Sequence, residues 1–172
     1  MKIQRAWAMP SANTFTIKPI KELIEKYIKC GMVVIDPFAN SSKYGTITND
    51  LNPEFKTTYC MDALKFLKKM KTKSADLILF DPPYSFTQAK SCYDGFGKEK
   101  LEINVSNKSY WSNCKNEVAR VLKLGGICIC FGWNSCGIGK KRGFDILEIL
   151  LVSHGGGCND TIATVEENRN LF

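Results

Sequence analysis

The segment Leu77–Phe86, with the sequence LILFDPPYSF, places an acid, two prolines and a tyrosine directly after an apolar run. Prolines are not tolerated inside a helix, and a short apolar run bounded in this way predicts a buried strand that ends at Asp81. Two interpretations remain open at this point. The strand either stops in an ordinary turn, or it delivers a carboxylate and an aromatic ring to a functional site.

Three further acids stand in comparable positions. Asp36 and Asp50 directly follow strand candidates, as Asp81 does, and Asp62 comes two residues after another. A single aspartate after a strand is commonly a helix cap or a turn residue. When four aspartates stand in register at one edge of a sheet, a ligand-binding role and a structural role as caps or turn residues are equally open. Such an edge suits a ligand with hydroxyl groups, an amine and positive charge, and it does not suit a polyphosphate.

The spacing of apolar residues predicts the elements that position these acids. Helices are predicted at Lys18–Lys29, Asp62–Met70 and Tyr110–Leu122, the last ended by Lys123–Gly126. Strands are predicted at Met32–Ile35, Lys43–Thr48, Lys56–Tyr59, Ala75–Phe80, Ile127–Trp133, Phe144–Val152 and Asp160–Glu166. Ser85–Asn107 is expected to form a loop with one helical piece, and Gly137–Gly143 a basic linker.

Strands that alternate with helices predict an α/β fold, a doubly wound and mostly parallel sheet with helices on both faces. Its ligand site would lie beyond the carboxyl ends of the strands. The 172 residues fit one domain, 1–172, with no sizeable additional domain.

Composition narrows the functional classes. The net charge of +7 favours an anionic partner such as nucleic acid. The chain has eight scattered cysteines, none of them in a CxxC pair, and one histidine. We therefore expect no metal site, and we expect the thiols to be reduced in a cytoplasmic protein. No signal peptide and no membrane-spanning run are predicted.

Several apparent motifs are rejected. GWNSCGIGKK departs from the phosphate-binding loop, and the chain has no GxGxxG dinucleotide fingerprint. SHGGGCND around His154 lacks a nucleophile elbow and is interpreted as a tight glycine turn. Lys68–Lys73 is interpreted as a solvated basic turn, whereas phosphate contact and solvation remain equally open for Lys140–Arg142.

Together these segments resemble the small adenine-specific DNA methyltransferases of phages and prophages, which use S-adenosylmethionine and have a Rossmann-like fold. Asp81-Pro82-Pro83-Tyr84 matches the catalytic tetrapeptide of that family. VVIDPFANSS, ITNDLNPEF and Tyr59–Ala63 resemble its first three cofactor motifs in order, and Pro10–Ile20 resembles the region that closes over the methionine end of the cofactor.

The resemblance implies roles for individual residues. The Asp81 carboxylate and the Pro82 carbonyl would accept hydrogen bonds from an adenine amine, Pro83 would help to fix the turn, and Tyr84 would stack on a base flipped out of double-stranded DNA. Asp50 would bind ribose hydroxyls and Asp36 would lie near the amino-acid end of the cofactor. The implied cofactor-binding set comprises Phe15, Thr16, Asp36, Phe38, Ala39, Asn40, Asp50, Leu51, Asp62, Ala63 and Asp81.

Two departures from the family pattern keep alternatives open. Asn40-Ser41-Ser42 stands where members usually have Gly-Ser/Thr-Gly, although asparagine tolerates left-handed backbone better than most residues. No target-recognition insert is evident. The alternatives are a non-catalytic or partner-dependent nucleic-acid-binding subunit, or an enzyme acting on RNA adenine or cytosine. A homodimer or a partner subunit is compatible with either.

Overall fold

The computed structural model describes residues 1–85, residue 88 and residues 108–169 of the chain. The predicted loop and helical piece at 85–107 therefore lie almost entirely outside the described residues. In the described part, the strands are β1 (Lys2–Trp7), β2 (Val34–Asp36), β3 (Ile47–Asp50), β4 (Tyr59–Cys60), β5 (Ala75–Phe80), β6 (Leu122–Gly132), β7 (Phe144–Ser153) and β8 (Thr161–Asn168). The helices are α1 (Lys18–Tyr27), α2 (Ala63–Lys69) and α3 (Lys108–Val121).

These strands form one sheet in the order β1-β7-β8-β6-β5-β2-β3-β4. Every neighbouring pair is parallel except the two pairs that β8 makes with β6 and β7. The strand order reverses between β5 and β2. The predicted doubly wound, mostly parallel α/β sheet is therefore confirmed.

Helices cover both faces of the sheet, and β5 shows why its sequence is apolar throughout. Leu77 and Leu79 point to the face covered by α1, whereas Ile78 and Phe80 point to the face covered by α2 and α3. All four side chains are buried. A strand enclosed on both sides has no polar alternation, so its sequence is a continuous apolar run.

The prediction missed β1 and displaced several strand ends. Asp36 and Asp50 are the last residues of β2 and β3, not the first residues after them. β6 begins at Leu122, directly after α3, where Lys123–Gly126 was expected to form only a helix stop.

A buried carboxylate holds β1 in the sheet. Glu148 on β7 is 1% exposed and accepts hydrogen bonds from Gln4 of β1 and from Lys26 and Tyr27 at the end of α1. Lys26 and the hydrogen bonds of Tyr27 and Gln4 outweigh burial and lower the pKa of Glu148. One side chain therefore joins β1, β7 and α1.

The connection from β6 to β7 crosses the sheet without an α-helix. Both strands are antiparallel to β8 and hence parallel to each other, so residues 133–143 must return from the carboxyl edge to the amino edge. The crossing chain is bound by Glu166 of β8, which is fully buried and accepts from the backbone N–H groups of Ile138 at 2.5 Å and Gly139 at 3.0 Å. Ile138 fills the core position that a helix would otherwise fill.

This crossing ends in the basic run Lys140–Arg142, just before β7. Arg142 binds α3: its guanidinium donates to Asn116 Oδ1 at 2.7 Å and to Ser112 Oγ at 2.8 Å. Lys140 and Lys141 are exposed, so solvation and phosphate contact both stay open for these two residues.

The remaining turn is as predicted. His154 and the three glycines that follow it connect β7 to β8, and Gly155, Gly156 and Gly157 all have positive φ angles. The His154 ring is buried and bonds to the Ala8 carbonyl and to Thr161 Oγ1, both at 2.8 Å. Its contacts are those of a structural residue.

Gly137 gives a test of the helix-free crossing. Its φ is +50°, and a Cβ at this position would overlap the Glu166 carboxylate, so Gly137→Ala should lower the free energy of unfolding by about 2–4 kcal/mol. Gly156 has a similar φ of +58° with open space around it, so Gly156→Ala should cost only about 1 kcal/mol. Urea unfolding of both variants measures the difference. Equal losses would show that Glu166 does not hold the crossing chain.

Candidate active site

A cavity of about 860 Å³ opens at the carboxyl ends of β2, β3 and β5, where the strand order reverses. Ligands of doubly wound sheets bind at this place. The cavity is lined by nine of the eleven residues in the implied cofactor set, together with the rest of the tetrapeptide: Phe15, Thr16, Phe38, Ala39, Asn40, Asp50, Leu51, Ala63, Asp81, Pro82, Pro83 and Tyr84.

Asp62, a member of the implied cofactor-binding set, is not among the residues that line this cavity. It is the N-cap of α2, where its Oδ1 accepts from Lys65 N at 2.9 Å and its Oδ2 accepts from the Tyr110 hydroxyl at 2.6 Å. Both carboxylate oxygens therefore serve the junction of α2 and α3. Ala63, the next residue, does reach the cavity.

Asp36 is fully buried behind the cavity wall. Its Oδ1 accepts from Phe38 N at 3.2 Å, and its Oδ2 has no hydrogen-bond partner within the described ranges. Burial raises the pKa of Asp36 well above its ordinary value, and the charges of Asp81 and Asp50 raise it further. A cation bound nearby would therefore stabilise the ionised form of the Asp36 carboxyl group.

The turn after β2 tolerates its unusual sequence, as expected for asparagine. Asn40 has a φ of +49°, and its backbone N–H donates to Asp50 Oδ2 at 2.8 Å. The other oxygen of Asp50 accepts from Asn52 N at 2.8 Å. Asp50 thus fixes two turns at the cavity rim. The replacement of a glycine by Asn40 leaves the left-handed backbone in place.

The tetrapeptide brings an acid and a phenol together. The Tyr84 hydroxyl donates to Asp81 Oδ1 at 2.6 Å, and the Tyr84 backbone N–H donates to Gln88 Oε1 at 2.8 Å. Burial raises the pKa of Asp81 to about 6, against hydrogen bonds from Tyr84 and Thr14 that lower it. Burial and the Asp81 charge raise the pKa of Tyr84, so the phenol stays protonated and remains a donor.

A second cavity of about 180 Å³ lies on the other side of the tetrapeptide. Pro82, Pro83, Tyr84 and Trp111 line both cavities. The smaller one is otherwise lined by residues of β5, α3, the end of β6 and the crossing chain that follows it: Phe80, Lys115, Cys130, Phe131, Gly132, Trp133, Asn134 and Gly137. The Tyr84 and Trp133 rings meet edge to face, with centroids 5.9 Å apart.

Sequence reasoning missed Trp111 and Thr14. Trp111 stands on α3 in contact with Phe38, with ring centroids 6.3 Å apart, and Thr14 lies in a single 3-10 turn at Thr14–Thr16. Trp111 belongs to no motif, and only its place on a helix that flanks the tetrapeptide in three dimensions brings it to the site. Thr14 lies inside the segment Pro10–Ile20, so its neighbourhood was identified although the residue was not.

Within the described ranges, no three histidine, cysteine, aspartate or glutamate side chains form a group that could hold a metal ion. No helix in the same ranges is long and apolar enough to cross a membrane.

Comparison with known proteins identifies the fold. No protein-family model and no curated protein matches the chain. Solved structures do: TrmN from Thermus thermophilus (15% identity, TM-score 0.55, 88% of this chain and 49% of TrmN) and a SAM-dependent methyltransferase from Methanosarcina mazei (11%, 0.58, 85% and 96%). A third is 1,6-didemethyltoxoflavin-N1-methyltransferase from Burkholderia thailandensis (9%, 0.61, 89% and 78%), solved with S-adenosylhomocysteine.

The chain therefore has the α/β fold of S-adenosylmethionine-dependent methyltransferases. It spans about half the length of TrmN and of several other matched structures. At these identities the likeness to the solved structures extends to the fold alone.

The raised pKa of Asp81 predicts a gain in stability on neutralisation. Below the unfolded pKa of 3.8 the carboxyl is protonated in both states, and above about 6 the folded state carries a charge that burial disfavours. Asp81→Asn, which can still accept from Tyr84, should therefore raise the free energy of unfolding by about 1–2 kcal/mol at pH 8, since Asp81 is only partly buried.

Urea unfolding at pH 8 and pH 4 measures this effect, and the gain should largely vanish at pH 4. Asp145→Asn, on the exposed side of β7, is the control and should change little at either pH. A destabilised Asp81→Asn protein at pH 8 would contradict the assignment of a strained carboxylate.

Proposed function

We propose that this protein transfers a methyl group from S-adenosylmethionine to the exocyclic amino group of adenine in DNA. One observation carries the proposal: Asp81, Pro82, Pro83 and Tyr84 separate a large cavity from a small one, and three of the four line both. A group-transfer enzyme needs its donor and its acceptor to meet at one set of residues. The tetrapeptide is at that boundary.

The large cavity fits the proposed cofactor. Asp50, at the end of β3, is placed as a ribose-binding carboxylate is in doubly wound folds. The apolar side chains of Phe38, Leu51 and Ala63 line the same cavity and suit an adenine ring. Asp81 in the wall and the partnerless Oδ2 of Asp36 behind it favour a ligand with a positively charged end.

When bound, S-adenosylmethionine supplies a methyl group on a positively charged sulfur. The chain itself has to orient the accepting amine, whose lone pair is delocalised into the base. Acceptors aimed at both amine hydrogens favour a pyramidal nitrogen with a directed lone pair. The Asp81 carboxylate and the Pro82 carbonyl are the two acceptors, and the restricted dihedrals of the prolines fix the direction of that carbonyl.

The small cavity suits a flipped base. Its walls include the rings of Tyr84, Trp111 and Trp133, and base-modifying enzymes extrude their target into such a pocket. Stacking on an aromatic ring contributes about 1–3 kcal/mol per base. The Tyr84 hydroxyl bond to Asp81 holds the ring beside the acceptor, so the residue that stacks also positions the carboxylate.

Charge supports a nucleic-acid substrate. The net charge of +7 favours a polyanion. Base-specific recognition requires side chains that reach base edges, and the motifs identified among the described residues are assigned to the cofactor and to the chemistry. From these residues alone we expect relaxed or very short sequence specificity.

Methyl transfer to unmethylated genomic DNA tests the proposal. Purified protein is incubated with S-adenosylmethionine, and the digested nucleosides are quantified by mass spectrometry. We expect N6-methyladenine, and a loss of about a hundred- to a thousandfold in rate for Asp81→Ala, because one preorganised electrostatic group typically contributes that much. Asp145→Ala is the matched control and should retain the wild-type rate.

Each other outcome points elsewhere. Methylcytosine, or product on RNA alone, would replace the adenine-DNA assignment with one of the alternative amine substrates. Cofactor binding without any product would favour the partner-dependent subunit. Undiminished turnover by Asp81→Ala would refute the mechanism.

Cofactor binding should depend on pH through Asp81. As the pH falls through about 6 the carboxyl is protonated and its attraction for a sulfonium is lost, so the affinity for S-adenosylmethionine should fall. S-adenosylhomocysteine has a neutral sulfur and should lose less affinity over the same range. Calorimetric titration of both ligands at pH 5 and pH 7.5 measures this. Identical pH dependences would place Asp81 away from the sulfur.

A further inference from the structure

The strand β1 forms one edge of the sheet and leaves backbone groups exposed. Ala8 N donates to Ser153 O of β7 at 3.1 Å, so by alternation the N–H and C=O groups of Ile3, Arg5 and Trp7 point away from β7. The other edge strand, β4, has only two residues. An edge of six residues without a bulge is a ready template for another strand.

The same strand exposes large apolar side chains. Ile3 is 60% exposed, Trp7 66% and Met9 68%, and the period of two places them on one face with Arg5. The opposite face of β1 is directed to α1, where Ala6 and Ala8 pack against the core. Exposed apolar residues along an open edge mark an interaction site rather than a solvated surface.

Charge does not protect this edge in the usual way. Lysine and arginine commonly blunt edge strands by projecting into solvent. Here the Lys2 ammonium lies 3.9 Å from Glu148, and the Arg5 guanidinium lies 3.3 Å from Ser153 Oγ, so both charges are drawn back over β7. The network around Glu148 holds the strand firmly, so the edge is preformed.

We propose that β1 pairs antiparallel with β1 of a second copy of this chain, across a two-fold axis at Ala6. A two-fold axis normal to the sheet leaves every side chain on the face of the sheet that it already occupies. Directly opposed residues in antiparallel strands must point to the same face, so the axis has to lie at a residue and not between two residues. An axis at Arg5 would oppose two guanidinium groups, and an axis at Gln4 would set Trp7 opposite Met1 and leave Met9 without an opposing residue. An axis at Ala6 sets Arg5 opposite Trp7 twice and Ile3 opposite Met9 twice.

This register also satisfies the backbone. Arg5 and Trp7 both direct their N–H and C=O groups outward, so they form the hydrogen-bonded pairs of the antiparallel ladder. On pairing, each Arg5 guanidinium exchanges its 3.3 Å contact with Ser153 Oγ of its own chain for the indole ring of the other copy, the aromatic partner that attracts cations most strongly. Pro10, which has no N–H to donate, lies just beyond Met9 where the pairing ends. The proposal does not rest on the methyltransferase function.

Substitutions at Trp7 test the register. Sedimentation velocity of the full chain at micromolar concentrations should show a dimer. Trp7→Lys sets an ammonium opposite Arg5 twice and should give a monomer, whereas Trp7→Glu sets a carboxylate there and should keep the dimer. Leu124→Lys, at a comparably exposed apolar residue of β6, is the control and should keep the dimer.

The two Trp7 variants distinguish this register from a non-specific apolar contact. A wild-type monomer at all concentrations overturns the proposal, and so does a dimer that persists in Trp7→Lys. Loss of the dimer in both variants shows that the contact is apolar and non-specific, and it overturns the register. Hydrogen exchange of the wild type provides a second readout, since the outward amides of Arg5 and Trp7 should be protected in the dimer and exchange fast if β1 remains an open edge.

Discussion

Asp36 and Asp50 end β2 and β3, and Asp81 directly follows the adjacent parallel strand β5, so the sheet itself brings three carboxylates to one edge. The chain satisfies them with nearby donors, which include the backbone N–H groups of Phe38 and Asn40 and the Tyr84 hydroxyl. These bonds do not offset burial, which raises the pKa of both Asp36 and Asp81, and the charges of Asp81 and Asp50 raise the pKa of Asp36 further. Binding of a cationic ligand stabilises the carboxylates at an edge of this kind. The same negative potential that destabilises the unliganded protein therefore selects a ligand of positive charge.

A buried carboxylate on β8 lets the chain cross from β6 to β7 without an α-helix. A crossover between two parallel strands of one sheet is usually an α-helix. Here Glu166 binds the crossing backbone, and Ile138 takes the core position. Burial raises the pKa of Glu166, and the two backbone donors act against that rise. The short crossing leaves no helix to extend over β7 and β1, which explains why Ile3 and Trp7 remain exposed on that face.

Sequence reasoning succeeded where the signal is local. The buried run of β5, the start of α2 near Asp62 and the left-handed turn at Asn40 follow from neighbours a few residues away. It failed where position depends on distant partners. β1 is a short alternating segment with two charges, and it becomes a strand because Glu148, more than a hundred residues later, binds Gln4. The place of Lys140–Arg142 depends on the direction of a crossover, which composition does not encode.

The segment that begins with β1 joins the open edge to the large cavity. Ala8 is held at its backbone N–H by Ser153 O and at its backbone C=O by the His154 ring, and Ser11–Thr16, a few residues later, is part of the cavity wall. Phe15 anchors this wall against Phe131, with ring centroids 5.1 Å apart. A partner strand on β1 and a ligand in the cavity would therefore order the same short stretch from opposite ends. Coupling between binding sites is reciprocal. If dimerisation raises the affinity for the ligand by some factor, the ligand must therefore raise the affinity between the two copies by the same factor.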